Sequence, residues 1–320
     1  MKPTILQSWA SVDPAGAAKY YTDNPRDFMM MGMMGGGRGP MGAGGASTIA
    51  SEWARQDPSA AMAWANSLTG NDKGPAMNAV VREVANGDPA KAWGMVTTMD
   101  KDSQARAYED IAAKWGAKNF PDAEAMIRGL PADQQAAAMS SAIAGFSKTN
   151  PKQAADKAAA MPPGEDRNSA ISIVAKNWSR ESPKEAATWA MTQGDDATKS
   201  DAIGEIMPNW VAMDEKGALV FVNNQPVGPV HDSAATAWVM NNRRGSATES
   251  LKIAESITNN DQREQAVRVG AMRLMIEDPE AGKAYIANSD AISEEMKTRA
   301  AEGKPLWGGG RGGWGGRGGR

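Results

Sequence analysis

Few side chains in this chain of 320 residues could carry out chemistry. Cysteine is absent, and the single histidine, His231, stands beside Asp232. That composition removes thiolate nucleophiles, disulfides, cysteine or histidine zinc sites and catalytic histidine pairs. The nucleophile–base pairs that remain are Ser–Lys or paired carboxylates. The adjacent acids Glu165-Asp166, Asp195-Asp196 and Glu294-Glu295 fall in turns or on expected exposed faces, and they read as solvated surface. His231 follows Pro226 and Pro229 in an irregular stretch, which points to a surface or capping role. The chain has no phosphate-binding loop, and its glycine runs lack the strand–helix setting of a dinucleotide fingerprint. The expectation is a protein that is not an enzyme and uses no cofactor or metal.

Recognition chemistry is concentrated near the C terminus. Residues 301–320 read as a flexible Gly/Arg/Trp-rich tail, with Lys304, Arg311, Arg317 and Arg320 as cations and no acid from residue 303 onward. Taking these four charges from the net −3 leaves −7 on the rest of the chain. The tail resembles the RGG segments of RNA-binding proteins, which makes Lys304, Trp307, Arg311, Trp314, Arg317 and Arg320 candidate nucleic-acid contacts. Arginine pairs with phosphate, and arginine or tryptophan stacks on bases at about 1–3 kcal/mol per base. Four phosphate contacts give a salt slope of about −0.7 × 4, so such binding to single strands is auxiliary and salt-sensitive.

A second compositional break, residues 29–46, is rich in Met and Gly. Glycine at this density disfavours regular structure, so the segment reads as a surface loop. Methionine could instead make it a sticky docking segment. Thioethers also suit Cu(I), but no His or Cys stands nearby.

The elements that must position any site come from a repeat. Asp13-Pro14, Asp57-Pro58, Asp88-Pro89, Phe120-Pro121, Asn150-Pro151, Ser182-Pro183 and Asp278-Pro279 recur at multiples of about 32 residues after the first unit. The same step lands on Asp214-Glu215 and Ser246-Ala247, giving about nine units. Asp, Asn or Ser at an N-cap accepts a bond from an orphan first-turn N–H, and proline next to it has no N–H to lose. Each slot therefore starts a helix, with Phe120 the exception among the caps.

Three residues after the proline slot the residue is small (Ala17, Ala61, Ala92, Ala154, Ala186, Ala218, Ser250, Gly282), Glu124 being the misfit. Six after it stands a large apolar knob (Tyr20, Trp64, Met95, Ile127, Trp189, Phe221, Ile253, Tyr285), Lys157 being the misfit. Five before it stand Trp9, Trp53, Val84, Phe146, Trp178, Trp210 and Leu274, with Trp115 one residue out of register. Ile171, Val174, Ala175 and Trp178 share one helical face, so a second helix precedes each slot. Breakers such as Gly70, Gly164 and Gly194 separate the two helices. Two helices of about 11–12 residues and two turns fill the unit. The strand-like run Leu219–Val222 aligns with a helical column and reads as helix.

A lone hairpin cannot bury both apolar faces, so the units must stack. The fold expectation is all-α, an α-solenoid of about nine hairpins. The division is a partial first hairpin at 1–28, the loop at 29–46, the solenoid at 47–300 and the tail at 301–320. The tryptophans in the repeat columns, among them Trp53, Trp64, Trp178, Trp189 and Trp210, read as hairpin packing.

The pattern from Trp53 and Ala54 through Asp57-Pro58 and Ala60-Ala61 to Trp64-Ala65 resembles tandem α-hairpin repeats of uncharacterised bacterial proteins. More broadly it is similar to tetratricopeptide-like solenoids, although the period is shorter than their 34 residues. That resemblance implies a scaffold that presents a concave surface to a peptide or protein, and it carries over no binding residue. An RNA-associated protein using the tail and a self-assembling subunit are the alternatives. The opening residues lack the apolar stretch of a secretory signal, and no run approaches the ~20 apolar residues of a membrane span. A soluble protein is expected, and processing of the N terminus would be compatible with export.

Overall fold

The computed structural model describes residues 3–24 and 44–302. Among these, all regular structure is helical: nineteen α-helices and one short 3-10 turn. None of the described helices is long and apolar enough to cross a membrane. The chain divides into two compact units, residues 1–170 and 171–320.

In the first unit, long helices α1 (Pro3–Val12), α3 (Gly45–Gln56), α5 (Lys73–Gly87), α7 (Lys101–Lys118) and α9 (Ala132–Phe146) alternate with short ones. The short helices are α2 (Pro14–Asp23), α4 (Pro58–Ser67), α6 (Pro89–Val96), α8 (Phe120–Ile127) and α10 (Pro151–Ala159). Each long helix packs on the next long one, and α4, α6 and α8 each fill the angle between the two long helices that flank them. Helix α11 (Glu165–Trp178) runs across the division. The second unit continues with α12 (Pro183–Ala190), α13 (Asp196–Met213), α14 (Glu215–Asn224), α15 (Pro229–Asn241), α16 (Ala247–Glu255), α17 (Asn260–Glu277), α18 (Pro279–Asn288) and α19 (Glu294–Ala301). There α13, α15 and α17 pack in series, with α14 and α16 between them. Gly45 and Ala46, assigned above to the Met/Gly-rich loop, form the first turn of α3, with Ala46 buried. Ala301, placed above in the tail, ends α19.

All nine slots start a short helix. At Asp13, Asp57, Asp88, Asn119, Asp214 and Asp278, one residue ends the long helix and caps the short one. Its backbone is extended, with φ between −130° and −154° (−154° at Asn119, −130° at Asp88), so the helix cannot run through. Its N–H closes the last turn of the long helix, as in Asp57 to Trp53 at 2.8 Å, and its carbonyl opens the next, as in Ala61 to Asp57 at 3.0 Å. Its side chain accepts a first-turn N–H, for example Gly16 on Asp13 at 2.8 Å and Gly217 on Asp214 at 2.9 Å. This single-residue hinge explains why the dipeptide recurs: the cap serves two helices at once.

The hinge corrects one expectation. The fourth cap is Asn119, which accepts from Asp122 N–H, and not Phe120. With the register moved by one residue, Trp115 joins the tryptophan column and Ala123 replaces Glu124 in the small column. Both misfits vanish. The helices are also unequal, 10–18 residues for the long set and 8–10 for the short, rather than two of similar length.

The fully buried column of the short helices lies four residues beyond the small one: Tyr21, Ala65, Val96, Ile127, Ala158, Ala190, Val222, Ala254 and Ile286. An i, i+4 spacing keeps both columns on the face turned to the long helices. Most of the expected knobs one residue earlier are displaced to the edge of that face: Ile253 is buried, but Tyr20, Trp64, Met95, Trp189, Phe221 and Tyr285 are only half-buried. Aromatic pairs close several hinges, with ring centroids 5.5 Å apart for Trp9–Tyr20, 6.1 Å for Trp53–Trp64, 5.9 Å for Trp178–Trp189 and 5.1 Å for Trp210–Phe221. Trp178 and Trp210 are core residues, whereas Trp53, Trp64 and Trp189 keep a wet edge.

Three junctions depart from the pattern: Asn150 and Ser182 make no side-chain cap bond, and the eighth divides the two roles between residues. Helix α15 ends at the C-cap Asn242, and Ser246 separately caps α16. Arg273 of α17 ties the extra residues down, donating to the carbonyls of Asn242 and Gly245 and to Ser250 Oγ. Glu277 accepts the Ala247 N–H at 3.2 Å.

Candidate functional site

Polar side chains are recruited first to hold hairpins together. The knob position often does this with its polar tip, reaching the preceding short helix. Trp64 Nε1 donates to Thr22 Oγ1 at 3.4 Å, Lys157 Nζ to Glu124 at 2.9 Å, and Tyr285 Oη to Glu255 Oε1 at 2.7 Å. An amphipathic side chain with a buried body and a wet tip suits this edge, which explains why Lys157 substitutes for an apolar knob. Burial, followed by donation to Glu255, raises the Tyr285 hydroxyl well above the usual tyrosine range. The Lys157 bond is the main influence that holds Glu124 below the usual carboxylate range.

His231 is where the structure overturns the sequence reading. It lies in the first turn of α15 rather than in an irregular loop, and both it and Asp232 are buried. Pro229 at the N1 position, after Gly228 with φ of 150°, is the helix-start signal that the two prolines disguised. Asp232 accepts the Thr258 N–H at 2.9 Å, the Thr258 hydroxyl at 2.6 Å and the Asn259 N–H at 2.8 Å. It thereby fixes the turn between α16 and α17. Burial pushes its carboxyl up, but the bonds from Thr258, Asn259 and His231 outweigh that and hold it below the usual range.

The same cluster has the connectivity of a nucleophilic relay. His231 Nδ1 stands 3.3 Å from Asp232 Oδ1, and Nε2 stands 3.4 Å from Ser256 Oγ. The geometry serves bracing better than proton transfer. Ser256 Oγ donates to the Ile253 carbonyl at 2.7 Å, and the Ser256 and Thr258 N–H groups are bonded to Ile253 and Asp232, so neither can line an oxyanion hole. Of the acidic pairs, Asp195 caps α13 through Thr198, while Glu294 and Glu295 are exposed in the first turn of α19. Among the described residues, no three His, Asp or Glu side chains converge as a metal site would require.

The candidate nucleic-acid contacts Lys304, Trp307, Arg311, Trp314, Arg317 and Arg320 lie outside the described residues, as does most of the Met/Gly-rich segment. The edge of the short helices carries the half-buried aromatic side chains Tyr20, Trp64, Trp189, Phe221 and Tyr285. No protein family, curated protein or solved structure matches the chain.

Proposed function

We propose that the chain is a non-enzymatic α-solenoid of nine hairpins that scaffolds or binds another protein through the face carrying its short helices. One observation carries this reading: a short-helix start recurs nine times, six times through a single-residue hinge, and the reactive side chains around it are spent on caps, braces and links between hairpins. Five of these starts lie in the first unit and four in the second, each opening a short helix of 8–10 residues. Surfaces built from repeated short helices favour extended partners, because each repeat adds a small and similar contact area.

Photo-cross-linking tests the reading. A cross-linking residue is placed at Gln153 of α10 or Thr188 of α12, both exposed, and at Asp201 of α13 as a long-helix control. The short-helix positions should capture the same partner, competed by unmodified protein, while the control captures none. Equal capture at all three positions, or none at any, would sink the assignment.

Self-association is a second reading, supported by α1. Ile5 and Val12, seven residues apart on one face, are 51% and 83% exposed. Such a face on a long helix suits a second copy of the chain.

A further inference from the structure

In the second unit a groove of about 610 Å³ is lined by Glu255, Arg263, Ala284, Tyr285, Asn288 and Asp290. Arg263, the cation of this lining, donates to the Ile257 carbonyl at 3.1 Å and to Asn260 Oδ1 at 2.6 Å. Glu255 is bonded by the neutral Tyr285 hydroxyl, and among the described residues neither Glu255 nor Asp290 is ion-paired. The Tyr285 ring is half-buried and leaves an edge toward solvent. The groove thus offers two carboxylates and an aromatic ring, beside one guanidinium already held by neutral acceptors.

Residues 303–320 carry groups complementary to the two carboxylates and the ring: Lys304, Arg311, Arg317 and Arg320, with Trp307 and Trp314, separated by glycines and without an acid. They follow α19, which packs on α18, the helix that carries Tyr285 and Asn288. Eighteen residues reach as far as about 60 Å when extended, so the groove is within range. Guanidinium pairs with carboxylate in a charge-assisted fork, and arginine or tryptophan packs on a tyrosine ring. Tethering adds an effective concentration in the millimolar range, so a contact with Kd of about 1 mM stays closed roughly half the time.

We propose that this groove is the docking site for the chain's own residues 303–320, with arginine at Glu255 and Asp290 and tryptophan against Tyr285. The inference stands apart from the binding reading above, because it concerns contacts within one chain.

The absence of cysteine gives a clean test. A dye on Gly318→Cys in the full chain reports docking through its fluorescence anisotropy. Anisotropy should fall to the level of a freely tumbling peptide in the Glu255→Gln/Asp290→Asn variant, and in the parent at high salt. It should fall equally in Arg311→Gln/Arg317→Gln/Arg320→Gln, whose changes lie outside the described residues. Reversal to Glu255→Arg/Asp290→Arg should release the segment, and adding Arg311→Glu/Arg317→Glu/Arg320→Glu should restore docking. Equal anisotropy in the parent and both neutralised variants overturns the proposal. A rise with protein concentration also overturns it, since the occupant would then be the segment of a second copy.

Discussion

Gly145→Ala is the most informative single change for the first unit, because two effects of known sign oppose each other there. Replacing a helical glycine by alanine normally stabilises, by up to about 1 kcal/mol. At Gly145, however, a Cβ would stand 1.8 Å from the Ala113 carbonyl oxygen of α7 and 2.8 Å from its carbon. Gly116 is the counterpart, with a Cβ placed 2.2 Å from the Ala142 oxygen of α9. The obstruction is backbone on both sides, so no rotamer change relieves it. Reaching an ordinary contact of about 3.3 Å requires the helices to part by roughly 1.5 Å, and gaps of that size forfeit much of the dispersion contact across the interface. Overpacking of this kind costs about 1–3 kcal/mol or more, which exceeds the propensity gain. Gly145→Ala should therefore lower Tm by several degrees, at about 2–4 °C per kcal/mol for a unit of this size. Gly94→Ala in α6, where a Cβ meets nothing within 4 Å, is the matched control and should raise Tm slightly. Thermal unfolding followed by circular dichroism decides the matter. If both substitutions stabilise, the close crossing of α7 and α9 is wrong.

Asp232→Ala strands the Thr258 and Asn259 donors and should cost about 1–3 kcal/mol at neutral pH in urea unfolding. Because the folded carboxyl titrates below its unfolded value near 3.9, this contribution is present above that value and lost as pH falls through the folded one. The gap between parent and variant should therefore close in acid, and a gap that persists there would refute the brace. Trp178→Ala, in the core, should cost about 3–5 kcal/mol, and Trp189→Ala, with its exposed edge, clearly less; equal losses would contradict the two burial classes. Sedimentation should show Ile5→Glu/Val12→Glu monomeric at concentrations where the parent self-associates, and a parent of constant monomer mass rejects that second reading.

Most of the architecture was legible because capping is local chemistry. Asp57-Pro58 or Asp278-Pro279 announces a helix start wherever it stands, and a period near 32 follows from repeating it. The failures were also local in origin. Phe120-Pro121 resembled the slot, yet proline sits equally well at the second helical position, so the cap was Asn119 one residue earlier. The knobs were read as packing residues from their size and their fixed place in the repeat, whereas a shift of 100° per residue decides between core and edge, and only packed helices reveal which column faces inward. His231 was hidden by its neighbours: Pro226 and Pro229 look like loop residues unless Gly228 is recognised as the turn and Pro229 as a first helical residue. The Asp232 bonds to Thr258 and Asn259 join positions 26 and 27 residues apart, which no spacing rule anticipates. The groove at Tyr285 likewise depends on the meeting of three helices.

Amide hydrogen exchange resolved to single residues tests the recurring hinge most directly. In each junction the N–H four residues past the cap bonds to the cap carbonyl, from Ala17, Ala61, Ala92, Ala123 and Ala154 in the first unit to Ala186, Ala218, Ser250 and Gly282 in the second. All nine amides are predicted to exchange slowly, although each lies in the first turns of a short helix that would fray if isolated. Fast exchange at a run of these positions would mean that the hinge does not form there, and the repeat would lose its structural basis.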